Sequence, residues 1–202
     1  MLIALGVLIF SVVLAFNLPV IYHSARLAAE ESCAESSNEP IKVSVKPLLA
    51  VLMLSIGVIP TWMITHNPAL TLFVMVLGCS AYIDYITRWV PDVLIFALSW
   101  IALLALLPEK GEVSPALISA AMMLIPALLI NTIAWFLSRT TALASGDLYV
   151  LPSIGVWLAP EWAAVCMGIT LSITLIASRY VRSVPFITAL YPVFIMVAIC
   201  GV

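Results

Sequence analysis

The run Ala69–Ile86, Ala-Leu-Thr-Leu-Phe-Val-Met-Val-Leu-Gly-Cys-Ser-Ala-Tyr-Ile-Asp-Tyr-Ile, holds one charged residue, Asp84, close to its end. An apolar stretch of this length is a membrane-span candidate, because about 20 residues of helix cross a hydrocarbon core. An ionisable group at the edge of such a stretch is costly and calls for a reason. Outward from it, Arg88 follows at i+4 and Pro91-Asp92 opens the next apolar run. The same division by sparse charge continues along the chain and gives eight candidate spans: 2–22, 47–64, 69–86, 92–107, 115–137, 148–159, 161–178 and 184–201. The sixth is too short to cross at full thickness and contains Pro152 and Gly155; it is expected to tilt, or to join the seventh as a helical hairpin through Ala159-Pro160-Glu161.

The composition agrees with this division. Of 202 residues, 64% are hydrophobic and 9% charged, whereas a soluble domain carries roughly a quarter charged residues. The expected fold is therefore all-α: a polytopic integral membrane protein of about eight transmembrane helices, with the lipid bilayer as its surroundings. Residues 1–202 are expected to form a single membrane-embedded domain, with a short cytoplasmic linker at about 23–46. No internal repeat is evident. A net charge of -2 without basic clusters argues against a nucleic-acid partner. Cys33, Cys79, Cys166 and Cys200 stand in no C-x-x-C spacing, and His23 and His66 lie far apart in different linkers, so no metal site is expected. No Lys or Arg precedes Arg26, so the N-terminal run lacks the basic start of a secretory signal and is expected to be a retained span.

Eight spans place the linkers alternately on two sides. Arg26, Lys42, Lys46, Arg88, Arg139, Arg179 and Arg182 then share one side and only Lys110 lies on the other. Seven against one is a positive-inside signal that makes the first side cytoplasmic and puts both termini outside.

Three carboxylates mark the cytoplasmic ends of spans: Asp84, Asp92 and Asp147. Each has a structural explanation. Asp84 is placed for a helix-surface pair with Arg88, and Asp92 after Pro91 suits a helix start. Asp147 after Ser145-Gly146 suits a helix N-cap or first turn. Together they carry more. Two aspartates on different helices, at one depth and on one face, are what acid-base hydrolysis requires, one ionised to take a proton from water and the other protonated to polarise a carbonyl. The shared proton belongs to the pair. Gly146, without a Cβ, allows an unusual turn or the close approach of a substrate backbone.

Asp84 through Pro91-Asp92 resembles the first aspartate motif of the type IV prepilin peptidases, an Asp followed seven residues on by Pro and then Asn or Asp. Ser145-Gly146-Asp147-Leu148 with Gly155-Val156-Trp157-Leu158 is similar to their second, Gly-x-Gly-Asp with an apolar helix ending in Gly-Ala-Trp-Leu. Phe16-Asn17-Leu18-Pro19-Val20-Ile21-Tyr22 and Val184-Pro185-Phe186 resemble two further family stretches. The resemblance implies an eight-span aspartic endopeptidase of the bacterial inner membrane whose site faces the cytoplasm. Asp84 and Asp147 would be its catalytic dyad, with Gly146, Arg88, Pro91, Asp92 and Ser145 shaping the site. The substrate would be a type IV prepilin or pseudopilin, cut after the Gly of a short basic leader, with no cofactor. The chain departs from the family at Ala144, where the first Gly of Gly-x-Gly-Asp stands, and at Tyr149, where a Lys is usual. Full-length members also carry two zinc-binding Cys-x-x-Cys pairs in the first cytoplasmic segment and methylate the new N-terminus. The segment 23–46 has Cys33 alone, so zinc is not expected here, and whether the chain methylates is left open by the resemblance. Two other classes stand beside the peptidase: a proton-coupled transporter, which would place its carboxylates near mid-membrane, and a non-catalytic pilus assembly factor, which would be free to lose them.

Overall fold

The computed structural model describes residues 2–32, 44–106, 113–138, 142–181 and 184–201. These form eight helices and, among the described residues, no strand. They are α1 (Leu2–Ser32), α2 (Pro47–Thr65), α3 (Pro68–Thr87), α4 (Asp92–Leu106), α5 (Val113–Ser138), α6 (Ser145–Gly155), α7 (Pro160–Ser178) and α8 (Phe186–Cys200). Each expected apolar run is a helix. Among the described residues, five stretches are long and apolar enough to cross a membrane: Ile3–Ser24, Pro47–Thr65, Pro68–Thr87, Val113–Leu137 and Pro160–Ser178. α4 and α8 have 15 residues each and α6 has 11. At 1.5 Å per residue, 15 residues extend about 22 Å, less than a hydrocarbon core of about 30 Å.

Two boundaries differ from expectation. α1 does not stop at residue 22 but runs to Ser32, because the residues after Tyr22 include Ala, Leu, Arg and Glu, which are good helix formers, and no Gly or Pro interrupts them. Part of the expected linker is thus helix, while Cys33 and Lys42 lie outside the described residues. α6 occupies Ser145–Gly155 rather than 148–159, and a turn at Val156–Leu158 separates it from α7. Ser145 and Gly146 therefore belong to the helix rather than to the loop before it.

Helix starts are set by local chemistry. At α3, the Asn67 Oδ1 accepts from the Ala69 and Leu70 N–H groups at 3.0 and 3.1 Å, and Pro68 follows at the first helical position, where its missing N–H costs nothing.

Neighbouring helices close on themselves. α3 packs on α4, α4 on α6, α6 on α5, α5 on α7, α7 on α8, and α8 back on α3. α1 and α2 flank this six-helix ring, chiefly through the α2–α3 contact. Small residues set the close approaches, as they do where lipid removes the hydrophobic drive for helix association. The Tyr191 ring from α8 lies against Gly57 of α2 and Gly78 of α3, and its hydroxyl donates to the Met53 carbonyl at 3.1 Å. At Gly155 a Cβ would stand 2.6 Å from the Ala120 Cα and the Ser119 carbonyl oxygen. α5 and α6 meet there backbone to backbone.

Gly155→Ala is expected to lower thermal stability in detergent by about 1–3 kcal/mol, the usual range for overpacking, because backbone rather than a flexible side chain must move. Gly168→Ala, at a helical glycine with nothing within 4 Å of a new Cβ, is expected to show no loss. Equal melting temperatures for the two variants would contradict the backbone contact.

Candidate active site

α3 ends one turn after Asp84. Arg88 caps it with left-handed backbone, φ 56° and ψ 28°, and its N–H closes on the Asp84 carbonyl at 2.8 Å. That conformation costs a non-glycine residue about 1–2 kcal/mol. It also takes Arg88 off the helix, so the expected i+4 surface pair with Asp84 does not form. Arg88 is exposed and acts on Asp84 through space. The Thr87 hydroxyl, 2.8 Å from both the Ile83 and Trp89 carbonyls, ties the turn to the helix. The buried Pro91 then opens α4, its carbonyl accepting from Leu94 at 2.9 Å, and Asp92 stands exposed in the first turn. Tyr22 of α1 meets the Trp89 ring edge-on, with centroids 6.1 Å apart.

Asp84 itself is 5% exposed. A buried carboxylate needs donors, and they come from the start of α8. The Thr188 N–H donates to Oδ2 at 3.1 Å, the Thr188 hydroxyl lies 3.2 Å from the same oxygen, and the Ile187 N–H faces the carboxyl. The first turn of a helix leaves its N–H groups without partners and carries partial positive charge. Pro185, the N-cap of α8, has no side chain able to satisfy them.

Asp147 lies in the first turn of α6, three residues after the N-cap Ala144, and its carboxylate faces the Ala144 N–H. This is the reach-back half of a capping box. The helix-start role anticipated for Asp147 is present, and so is a second one. Asp84 and Asp147 interact electrostatically and line one cavity of about 780 Å³. The cavity sits where the ends of α3 and α7 meet the starts of α4, α6 and α8, with Ile130 of α5 closing one side. Both carboxyls thus lie at helix ends rather than mid-helix.

Of the other site residues expected from sequence, Arg88, Asp92, Ser145 and Gly146 line the same cavity and Pro91 does not. Gly146 takes no unusual turn: its φ is negative and it lies within α6, where a Cβ would meet only the Ile95 Cδ1 at 3.5 Å. Cys79 and Cys166 are buried and Cys200 is exposed.

Two polar residues escaped the sequence reading. Thr188 carried no signal, since most helical threonines simply bond their own backbone. Asn131 did carry one, as a lone amide within an apolar run. Its Nδ2 donates to the Leu143 carbonyl at 3.0 Å and its Oδ1 accepts from the Leu143 N–H at 2.7 Å. One side chain of α5 thereby holds the backbone of the loop that delivers Asp147.

A model of the type IV leader peptidase family matches residues 71–201. The chain belongs to the type IV leader peptidase family. The matched residues run from the first turn of α3 to the end of α8, the same six helices whose ring surrounds the cavity. No curated protein and no solved structure matches the chain. In this leader peptidase the loop that Asn131 fixes forms part of the cavity wall.

Asn131→Leu in this leader peptidase is expected to destabilise by about 1–3 kcal/mol through the unpaired Leu143 groups and to speed hydrogen exchange at the Leu143 amide. Unchanged protection there would show that the loop is held by other contacts.

Proposed function

We propose that this leader peptidase is an aspartic endopeptidase that removes the short basic leader of a type IV prepilin or pseudopilin. Asp84 and Asp147 act as the dyad, and Gly146, Ser145, Arg88 and Asp92 shape the surroundings. The observation that carries the proposal is the convergence of two carboxyls from different helices, electrostatically coupled, on one cavity at one end of the ring. Two like charges in a site of low dielectric do not readily both ionise. The pair then holds one proton. The ionised carboxylate takes a proton from water, and the hydroxide adds to the scissile carbonyl carbon. The neutral carboxyl gives its proton to the carbonyl oxygen, and a tetrahedral diol results. Collapse breaks the C–N bond: the departing nitrogen takes the dyad's proton, one hydroxyl of the diol returns its proton to the dyad as the new carboxyl forms, and the pair again holds one proton.

The orientation follows from charge. Lys46 precedes α2 at the cavity end, where its carbonyl accepts from the Tyr82 hydroxyl at 3.4 Å and its Nζ lies 5.5 Å from the Tyr85 ring centroid. Arg88 caps α3 and Arg179 caps α7 at that same end. We read this end as the cytoplasmic boundary of the inner membrane, with all eight helices forming one membrane-embedded domain. A basic leader would meet an acidic site there, Asp92 included, while the apolar helix behind it stays in lipid.

Co-expression with a prepilin, read by the mass of its N-terminus, is expected to give a shortened pilin with the parent chain and intact precursor with Asp84→Asn and with Asp147→Asn. Cleavage retained by either variant would rule out the dyad. Gly146→Ala is sterically tolerated and favours helix by about 1 kcal/mol, so its fold should persist. A fall in cleavage rate would mark Gly146 as lying on the substrate path, and an unchanged rate would remove it from that path.

A further inference from the structure

Among the described residues most threonine hydroxyls bond the backbone of their own helix, and Thr188 departs from that habit. Thr61, Thr65, Thr71, Thr132 and Thr170 each donate to the carbonyl four residues back in their own helix. The Thr188 hydroxyl instead leaves α8 and meets two oxygens of α3, the Ala81 carbonyl at 2.9 Å and the Asp84 Oδ2 at 3.2 Å. A hydroxyl has one proton and two acceptor lone pairs. It cannot donate to both oxygens at once, so the geometry contains a choice.

We propose that Thr188 is a positioning residue whose hydroxyl holds the Asp84 carboxyl in place through both of its protonation states. The proposal rests on the dyad reading above. When Asp84 is ionised, Oδ2 is the stronger acceptor, since a charged partner roughly doubles a hydrogen bond, and the hydroxyl proton points to Oδ2. When Asp84 carries a proton, Oδ2 loses that advantage. The hydroxyl then turns about its Cβ–Oγ1 bond and donates to the Ala81 carbonyl, leaving a lone pair free to accept from the neutral carboxyl. No covalent bond to a heavy atom forms or breaks, and no heavy atom moves. The Thr188 N–H, 3.1 Å from Oδ2, stays in place throughout. A carboxyl that gains and loses a proton in each turnover is thereby kept at a fixed position on the cavity wall, and misplacement of a reacting group by about 1 Å costs on the order of 100-fold in rate.

The test is steady-state cleavage of a prepilin by the purified full chain, with kcat and KM separated. Thr188→Val keeps the shape and the N–H but removes the hydroxyl, and Thr188→Ser keeps the hydroxyl. The expected result is a kcat about 10- to 100-fold lower for Thr188→Val, a KM changed by less than about twofold, and near-parental kcat for Thr188→Ser. Thr188→Ala, which also lacks the hydroxyl and adds no bulk, carries the same expectation should the valine variant not fold. A parental kcat in the variants without a hydroxyl, an effect confined to KM, or equal losses in the serine and valine variants would each overturn the proposal. Asp84→Asn, run alongside, separates the two layers. If it still cleaves, the dyad reading itself fails; if it is inactive while Thr188→Val behaves as the parent, only the role of Thr188 falls.

Discussion

A carboxylate removed from water and a helix start without a cap pose the same problem with opposite sign. Asp84 is buried at the end of α3, and α8 begins behind a proline that offers no side-chain acceptor. Without partners, each would be left with unsatisfied polar groups. Here each satisfies the other. The Ile187 and Thr188 N–H groups point at the carboxyl, and α8 is pinned to α3 at that height. The α3–α8 contact is one of the six that close the ring, and the carboxyl pairing sits where that contact borders the cavity. Arg88 follows from the same requirement, because a helix that stopped later would carry the next residues past the point where α4 must start.

The second carboxyl repeats the logic within a single helix. Asp147 answers the Ala144 N–H of its own helix start, and Asn131 fixes the loop just before it. A helix-capping role and a position on the cavity wall are therefore not rival explanations for these aspartates. The donors that make each carboxyl tolerable in a low-dielectric place also fix where it points. Gly155 contributes from the far end of α6, since its backbone contact with α5 sets how the short helix is seated.

The sequence reveals helix positions well and packing poorly, for one physical reason. Charges are so few that apolar runs delimit themselves, and all eight expected runs are helices. In lipid, however, the outward and inward faces are both apolar, so hydropathy says little about which side of α3 or α8 meets a neighbour. Polar linker composition also misleads at 23–32, where the residues are soluble in character yet form helix easily. The two aspartates were legible because ionisable groups at the edge of a span are rare. Pro91 was grouped with them by motif yet lies off the cavity, because motif spacing records chain order and not which backbone atoms turn inward. The end of α3 at a left-handed arginine could not be read, as that conformation is ordinarily a glycine's. Thr188 was invisible for a simpler reason: its partner lies 104 residues away.

That separation has a consequence for how the protein comes into being. Chains are made and fold from the N-terminus onward, so α3, with Asp84 at its end, is in place well before residues 187 and 188 exist. Until the last helix is synthesised, the carboxyl lacks its donors and the ring has a gap where α8 will sit. The wall around the cavity is completed by the final fifteen-residue helix, and a nascent or truncated chain has the aspartates without the enclosure.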